Sequence, residues 1–180
     1  MKFNLLDSKP RYTPLDPGMK LVKGNNSKGE RIDSTKYQSL IGALLYIAVS
    51  TRPDIMYSVC ILSQFNVEPY TEHFVAAKHL LRYLMTTINP KLTYGSAPTK
   101  LTGYVDADWA CNIDDRRSNT GFVFLMVGGA VSWESKKQTS VALSSTEAEY
   151  MALSQASKEA SYLLNLLNEF KYAKVSFKSI

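Results

Sequence analysis

The chain has 180 residues, with 21 Lys+Arg against 16 Asp+Glu and a formal net charge of +5. Apolar residues make up 45%, charged residues 21% and aromatics 11%, a balance that fills a core and excludes wholesale disorder. No stretch approaches the ~18 uninterrupted apolar residues of a membrane span, so no membrane partner is expected.

The first ten residues hold too short an apolar run for a signal peptide. Cys60 and Cys111 have no metal-ligand spacing, so free thiols in a reducing compartment, cytoplasm or nucleus, are expected rather than a disulfide framework or a zinc site. The charge is uneven. Residues 1–98 hold 12 Lys+Arg against 7 Asp+Glu and residues 99–180 hold 9 against 9. A basic first half is compatible with nucleic acid as a partner.

Residues 1–33 carry Pro10, Pro14, Pro17, Gly18, Gly24 and Gly29 and read as an extended arm or linker. Asp33-Ser34 is a helix start signal, and Leu40, Ile41, Leu44, Leu45 and Ala48 recur at helical spacing over residues 35–49. Pro53 fits the first turn of a second helix, which runs to about residue 64. Thr71-Glu72-His73 opens a third, with Phe74, Ala77, Leu80, Leu81 and Leu84 on one face. Residues 34–98 are therefore expected to form a helical unit. His73 and His79 lie six apart, not on one helix face, so surface or packing roles are expected rather than a metal pair.

After Asn89-Pro90 the period changes to two. Residues 92–94 predict a short strand, residues 101–108 and 120–127 longer ones. Gly128-Gly129 predicts a two-residue hairpin, with residues 130–135 returning. A long helix is expected from residue 144 to about 168, and residues 175–177 suggest one more strand. The fold class is α/β of the α+β kind: a helical unit, then a sheet with a long helix packed on it over residues 99–180.

Acids inside apolar structure mark candidate chemistry. Tyr104, Asp106 and Asp108 share one face of a strand, and an acid within a strand needs a reason; a solvent-facing strand side is one. Ser144-Ser145-Thr146-Glu147 fits a capping box, which gives Glu147 a structural role. Glu149 instead lines up with Ala152, Leu153 and Ala156 and would point toward the strand that carries Asp106. A favourable charge near a helix N-terminus also accounts for it. Two such carboxylates could hold Mg²⁺, a hard ion that prefers oxygen. A pair of ions of the kind used in phosphodiester hydrolysis needs a third acid and usually a fourth.

Tyr104-Val-Asp-Ala-Asp-Trp-Ala110, Asp115-Arg-Arg-Ser-Asn-Thr-Gly-Phe122, Gly128-Gly-Ala-Val-Ser-Trp133, Ser135-Lys-Lys-Gln138 and Val141-Ala-Leu-Ser-Ser-Thr-Glu-Ala-Glu-Tyr-Met-Ala-Leu153 resemble the ribonuclease H region of copia-type retrotransposon Pol polyproteins. Upstream, Tyr37-Gln-Ser-Leu-Ile-Gly-Ala-Leu-Leu-Tyr46, Ser50-Thr-Arg-Pro-Asp-Ile55 and His79-Leu-Leu-Arg-Tyr-Leu84 resemble the segment after the reverse transcriptase palm of the same polyproteins. The resemblance implies a ribonuclease H-like mixed sheet and metal-dependent cleavage of the RNA strand of an RNA–DNA hybrid. Carried over by position, Asp106 and Glu149 are the catalytic metal ligands, with Mg²⁺ or Mn²⁺ as cofactor. Asp108 is a possible further carboxylate near the metal. Arg116, Arg117, Lys136 and Lys137 are candidates for backbone phosphates, with a solvated turn as the plainer reading.

The polymerase palm has no counterpart here. The family's third aspartate would follow on a strand that residues 174–180 only begin. The expectation is an incomplete ribonuclease H domain, silent alone and binding metal weakly or not at all. Its partners would be an RNA–DNA hybrid or other nucleic acid, or another Pol chain. The alternative is a co-opted, non-enzymatic remnant acting as a nucleic-acid-binding or protein-interaction module.

Overall fold

The computed structural model describes residues 9–24, 27–95 and 100–170, and the chain divides into two units, Met1–Lys91 and Leu92–Ile180. In the first, α1 (Ser34–Ser50) starts where Asp33 Oδ1 accepts the Thr35 amide at 2.9 Å, a side-chain cap for an otherwise orphan donor. Tyr37, Leu40, Ile41, Leu44 and Ala48 form its buried stripe. A 3-10 turn, Pro53–Ile55, leads into α2 (Met56–Ser63), and α3 (Thr71–Thr86) follows. Ile55, Val59, Leu62, Phe65, Ala76, Ala77 and Leu80 complete the core. The Tyr37 hydroxyl, wholly buried, donates to the Leu62 carbonyl at 2.8 Å. Burial pushes its pKa well above the ordinary phenol value, so it stays a donor.

Residues 9–23 carry no helix or strand, but Leu15 and Leu21 pack on the helical core. Two buried imidazoles of α3 hold this strap: His79 Nε2 lies 2.8 Å from the Thr13 carbonyl and His73 Nε2 3.0 Å from the Val22 carbonyl. Of the two roles expected, surface or packing, the buried one is observed for both histidines.

In the second unit β1 (Thr102–Asp108), β2 (Asn119–Met126) and β3 (Gly129–Lys137) form an antiparallel sheet in the order β1-β2-β3. The helix α4 (Ser145–Glu169) packs on it. Leu101, Phe122, Phe124 and Ala156 are buried together, with Met126, Val131, Ala160, Leu163 and Leu167 around them. Gly103 lies opposite Phe124, and a Cβ there would come within 2.5 Å of that ring. The α+β class expected from the sequence is the one observed.

Two local expectations are corrected. Residues 92–94 join no strand; Tyr94 instead donates its hydroxyl to the Ala130 carbonyl at 2.7 Å. The hairpin turns one residue earlier than Gly128-Gly129. Its central residues are Val127 and Gly128, with φ of 55° and 87°, the sign that a two-residue turn of this kind requires. Gly129 instead pairs with Met126 and lies so close to the Tyr94 ring that a Cβ would meet it at 2.6 Å. A β-branched residue in the left-handed region is strained. Val127→Gly is therefore expected to raise the stability of this unit by about 1 kcal/mol, read as a shift of the thermal midpoint. The strand suggested at residues 175–177 lies outside the described residues.

Candidate carboxylate site

Glu147 fixes the start of α4. The Ser144 hydroxyl accepts the Glu147 amide at 3.1 Å, and the Glu147 carboxylate reaches back to the Leu143 amide at 2.7 Å. The Ser144 half of the expected capping box forms, while Glu147 reaches one residue past the cap, to the amide before it rather than to that of Ser144. Gln138, buried at the end of β3, holds the next turn: its side-chain amide donates to the Ala148 carbonyl at 2.9 Å and to Thr120 Oγ1 at 3.1 Å. The Trp109 indole donates to the Ala142 carbonyl at 3.1 Å. Gln138 thus ties the first turn of α4 to the end of the sheet, and Trp109 ties down the segment that leads into it.

Val105 and Asp106 of β1 line one cavity of about 390 Å³ with Thr146, Glu149, Tyr150, Ala152 and Leu153 of α4. The structure therefore brings Asp106 and Glu149 together, both exposed. Asp108 is not among the residues lining that cavity. It acts instead on Cys111: burial first, then the charge and hydrogen bond of Asp108, push that thiol up to about 11. A thiol so raised is no nucleophile near neutral pH.

The pleat refines how the two acids meet. Val105 pairs with Phe122 and Gly103 with Phe124, so these share the face that packs on α4. Asp106 pairs with Gly121 and belongs to the opposite face. It borders the cavity because β1 is the edge strand among the described residues. On α4 the buried line is Ala148, Ala152 and Ala156. Glu149 stands beside that line rather than on it, and Leu153 is half exposed.

The four basic candidates are not equivalent. Lys137 Nζ lies 2.6 Å and Arg117 Nε 3.6 Å from Asp115 Oδ2. Partial burial works to raise the Asp115 carboxyl, and Lys137 with the Arg117 amide and guanidinium outweighs it, leaving it below the ordinary carboxylate range. Arg116, at φ 57°, and Lys136 are exposed. Asn112 builds the loop that presents Arg116, its Oδ1 accepting the Asp114 and Asp115 amides at 3.0 and 3.1 Å, while Lys136 stands on β3. Gln138 and Trp109 are the supporting residues that pattern reasoning missed, since each acts through a partner remote in sequence.

Carboxylate oxygens suit a hard divalent cation. Among the described residues, however, no group of three or more His, Cys, Asp or Glu could hold a metal ion. Two carboxylates are too few for a two-ion centre.

A three-stranded antiparallel sheet with a helix across it, following a helical unit, defines an α+β protein with an acid pair from edge strand and helix. Comparison with known proteins gives the family. The chain is 43% identical over 178 residues to the retrovirus-related Pol polyprotein from transposon TNT 1-94 of Nicotiana tabacum, covering 93% of this chain and 13% of that protein. It is 41% identical over 167 residues to the corresponding polyprotein from transposon RE1 of Arabidopsis thaliana, covering 92% and 11%. It is also 52% identical over 128 residues to the secreted RxLR effector protein 161 of Plasmopara viticola, covering 71% of this chain and 90% of that one. No family model and no solved structure matches. The chain belongs to the retrotransposon Pol polyprotein family. It spans about an eighth of the length of the TNT 1-94 polyprotein.

Proposed function

We infer that this chain is a ribonuclease H-related segment of a retrotransposon Pol polyprotein, contributing half of a metal-binding carboxylate centre. The observation that carries this is the convergence of Asp106 and Glu149 on one cavity. Mg²⁺ or Mn²⁺, when bound, would supply charge stabilisation for phosphodiester cleavage. Asp106 and Glu149 would hold it, with Gln138 and the Ser144–Glu147 cap orienting the helix that carries Glu149. Two carboxylates leave the second ion without its ligands, so the chain is silent until further acids are supplied.

The test is cleavage of a labelled RNA–DNA hybrid by the purified chain with Mg²⁺ and with Mn²⁺, beside Asp106→Asn and Glu149→Gln. No cleavage by the folded chain is expected. Cleavage that vanishes in both variants would overturn the half-centre reading.

Phosphate contacts on the hybrid would fall mainly to Arg116 and Lys136, because Asp115 already occupies Lys137 and Arg117. Asp115→Asn is expected to tighten hybrid binding and to steepen its salt dependence by about one to two counterions, read by fluorescence anisotropy across a salt series. Lys136→Ala weakens binding more than Lys137→Ala on the same account.

A second reading rests on the effector relative, most of whose length this chain covers. On it, the chain is a non-enzymatic interaction module. Hybrid binding no tighter than that of an unrelated basic protein of equal charge would favour it.

A further inference from the structure

We propose that the start of the strap is a binding site for single-stranded nucleic acid, with Tyr12 as a stacking platform and Arg11, Arg82 and Lys9 as phosphate contacts. The site lies wholly within the first unit and does not depend on the acid pair. Tyr12 is 78% exposed, yet the backbone on either side of it is fixed. The Arg11 amide donates to Thr86 Oγ1 at 3.3 Å. The Thr13 carbonyl lies 2.8 Å from Nε2 of the buried His79. Pro10 and Pro14 bracket the segment and restrict its backbone further. An aromatic ring on pinned backbone has little freedom to lose when a flat ligand stacks on it.

Cations surround that ring. Thr86 Oγ1, which accepts the Arg11 amide, donates to the Arg82 carbonyl at 2.9 Å. Strap residue 11 therefore lies against the last turn of α3, the turn that Arg82 opens. The Nε of Arg11 and the Nε of Arg82 are both shielded from solvent and have no hydrogen-bond partner among the described residues. Shielded donors are rarely left so. A phosphate seated on the edge of a guanidinium takes Nε and an Nη together, which satisfies both. Lys9, exposed on the strap, adds a third cation. Two neighbouring cations are already engaged: Arg52 holds Asp54 and the Thr87 carbonyl, and Lys78 Nζ lies 4.7 Å from the centre of the Phe74 ring. Asp16 is the acid that opposes the site. It lies 3.5 Å from Arg11 Nη1 and 3.4 Å from His79 Nδ1. Its pair with Arg11 is partly exposed on both sides, so water screens it.

The chemistry favours a single strand over a duplex. A ring offered to solvent stacks on an unpaired base, whereas duplex bases already stack on one another. Such stacking tolerates any base, because every base has a π-face. Arg116 and Lys136 of the second unit offer charge alone, so base-dependent affinity is the signature that belongs to Tyr12.

The test uses the whole chain and short labelled probes in fluorescence anisotropy: oligothymidylate, oligouridylate and an abasic oligomer of the same length and charge. The chain is expected to bind both base-bearing probes about tenfold more tightly than the abasic one. Tyr12→Ala removes that difference and Tyr12→Phe keeps it, because the ring rather than the hydroxyl stacks. The exposure of Tyr12 leaves the thermal midpoint unchanged in both variants. Arg82→Gln keeps the preference for bases and lowers the slope of log affinity against log salt by about 0.7. Lys136→Ala weakens all the probes alike. Equal affinity for abasic and base-bearing probes, or a base preference that survives Tyr12→Ala, would overturn the platform. A salt slope unchanged in Arg82→Gln would overturn the phosphate contact.

Discussion

Arg52→Ala is expected to destabilise the helical unit by about 2–3 kcal/mol, seen as a lower denaturant midpoint with little change in slope. The Arg52 guanidinium grips Asp54 with two contacts, Nε to Oδ1 at 2.9 Å and Nη2 to Oδ2 at 2.8 Å. It also donates to the Thr87 carbonyl at 2.8 Å and to the Thr87 hydroxyl at 2.6 Å. Tyr83 closes the cluster, donating to Asp54 Oδ2 at 2.8 Å, with its ring under the guanidinium at 5.6 Å. One side chain thus ties the turn after α1 to the C-terminal end of α3, so alanine leaves several groups without partners. The Asp54 carboxylate is partly exposed, so Asp54→Asn should cost less than Arg52→Ala.

The same cluster sets a pH dependence. Partial burial works to raise the Asp54 carboxyl, and hydrogen bonds from Arg52 and Tyr83 outweigh it, leaving it below the usual carboxylate range. Its contribution is therefore present above the unfolded value of about pH 4 and lost as pH falls through the lower folded one. Acid unfolding of Asp54→Asn should show a shallower slope in that window.

Gln138→Ala is the second large effect, about 2–3 kcal/mol in the sheet unit. The side chain is buried and bridges β2 to the first turns of α4. Alanine leaves the Ala148 carbonyl and the Thr120 hydroxyl without that donor and opens a cavity beside them. Because Ala148 adjoins Glu149, the loss should also loosen the acid pair. The expected signature is faster amide exchange at the start of α4 with the far end near Leu163 still protected. Uniform loss of protection along α4 would assign Gln138 to global stability alone.

The parts of the fold legible in the sequence are those written in local chemistry. Asp33 and the Ser144–Glu147 pair are caps within one turn, and both form. Periodicity located the four α-helices and three strands of the described residues because core stripes repeat. It failed by one residue where small side chains decide. Ala148, not Glu149, lies on the buried line of α4, since a packed alanine carries little apolar signal. The hairpin shifted by one because Gly129 is needed for its close approach to Tyr94 rather than for the turn. Gln138, Arg52 and the two strap histidines have partners 10 to 66 positions away, a distance no spacing rule reaches. Asp106 and Glu149 were legible as a pair through residue type and element, but the face on which each stands required the register.

The central claim is that Asp106 and Glu149 act together on one cation. It is tested most directly by titrating the folded chain with Mn²⁺ and following paramagnetic broadening of backbone amides. The account predicts broadening confined to residues 104–107 and 146–153, lost in either Asp106→Asn or Glu149→Gln. Broadening centred elsewhere, or unchanged when either acid is replaced, would contradict it.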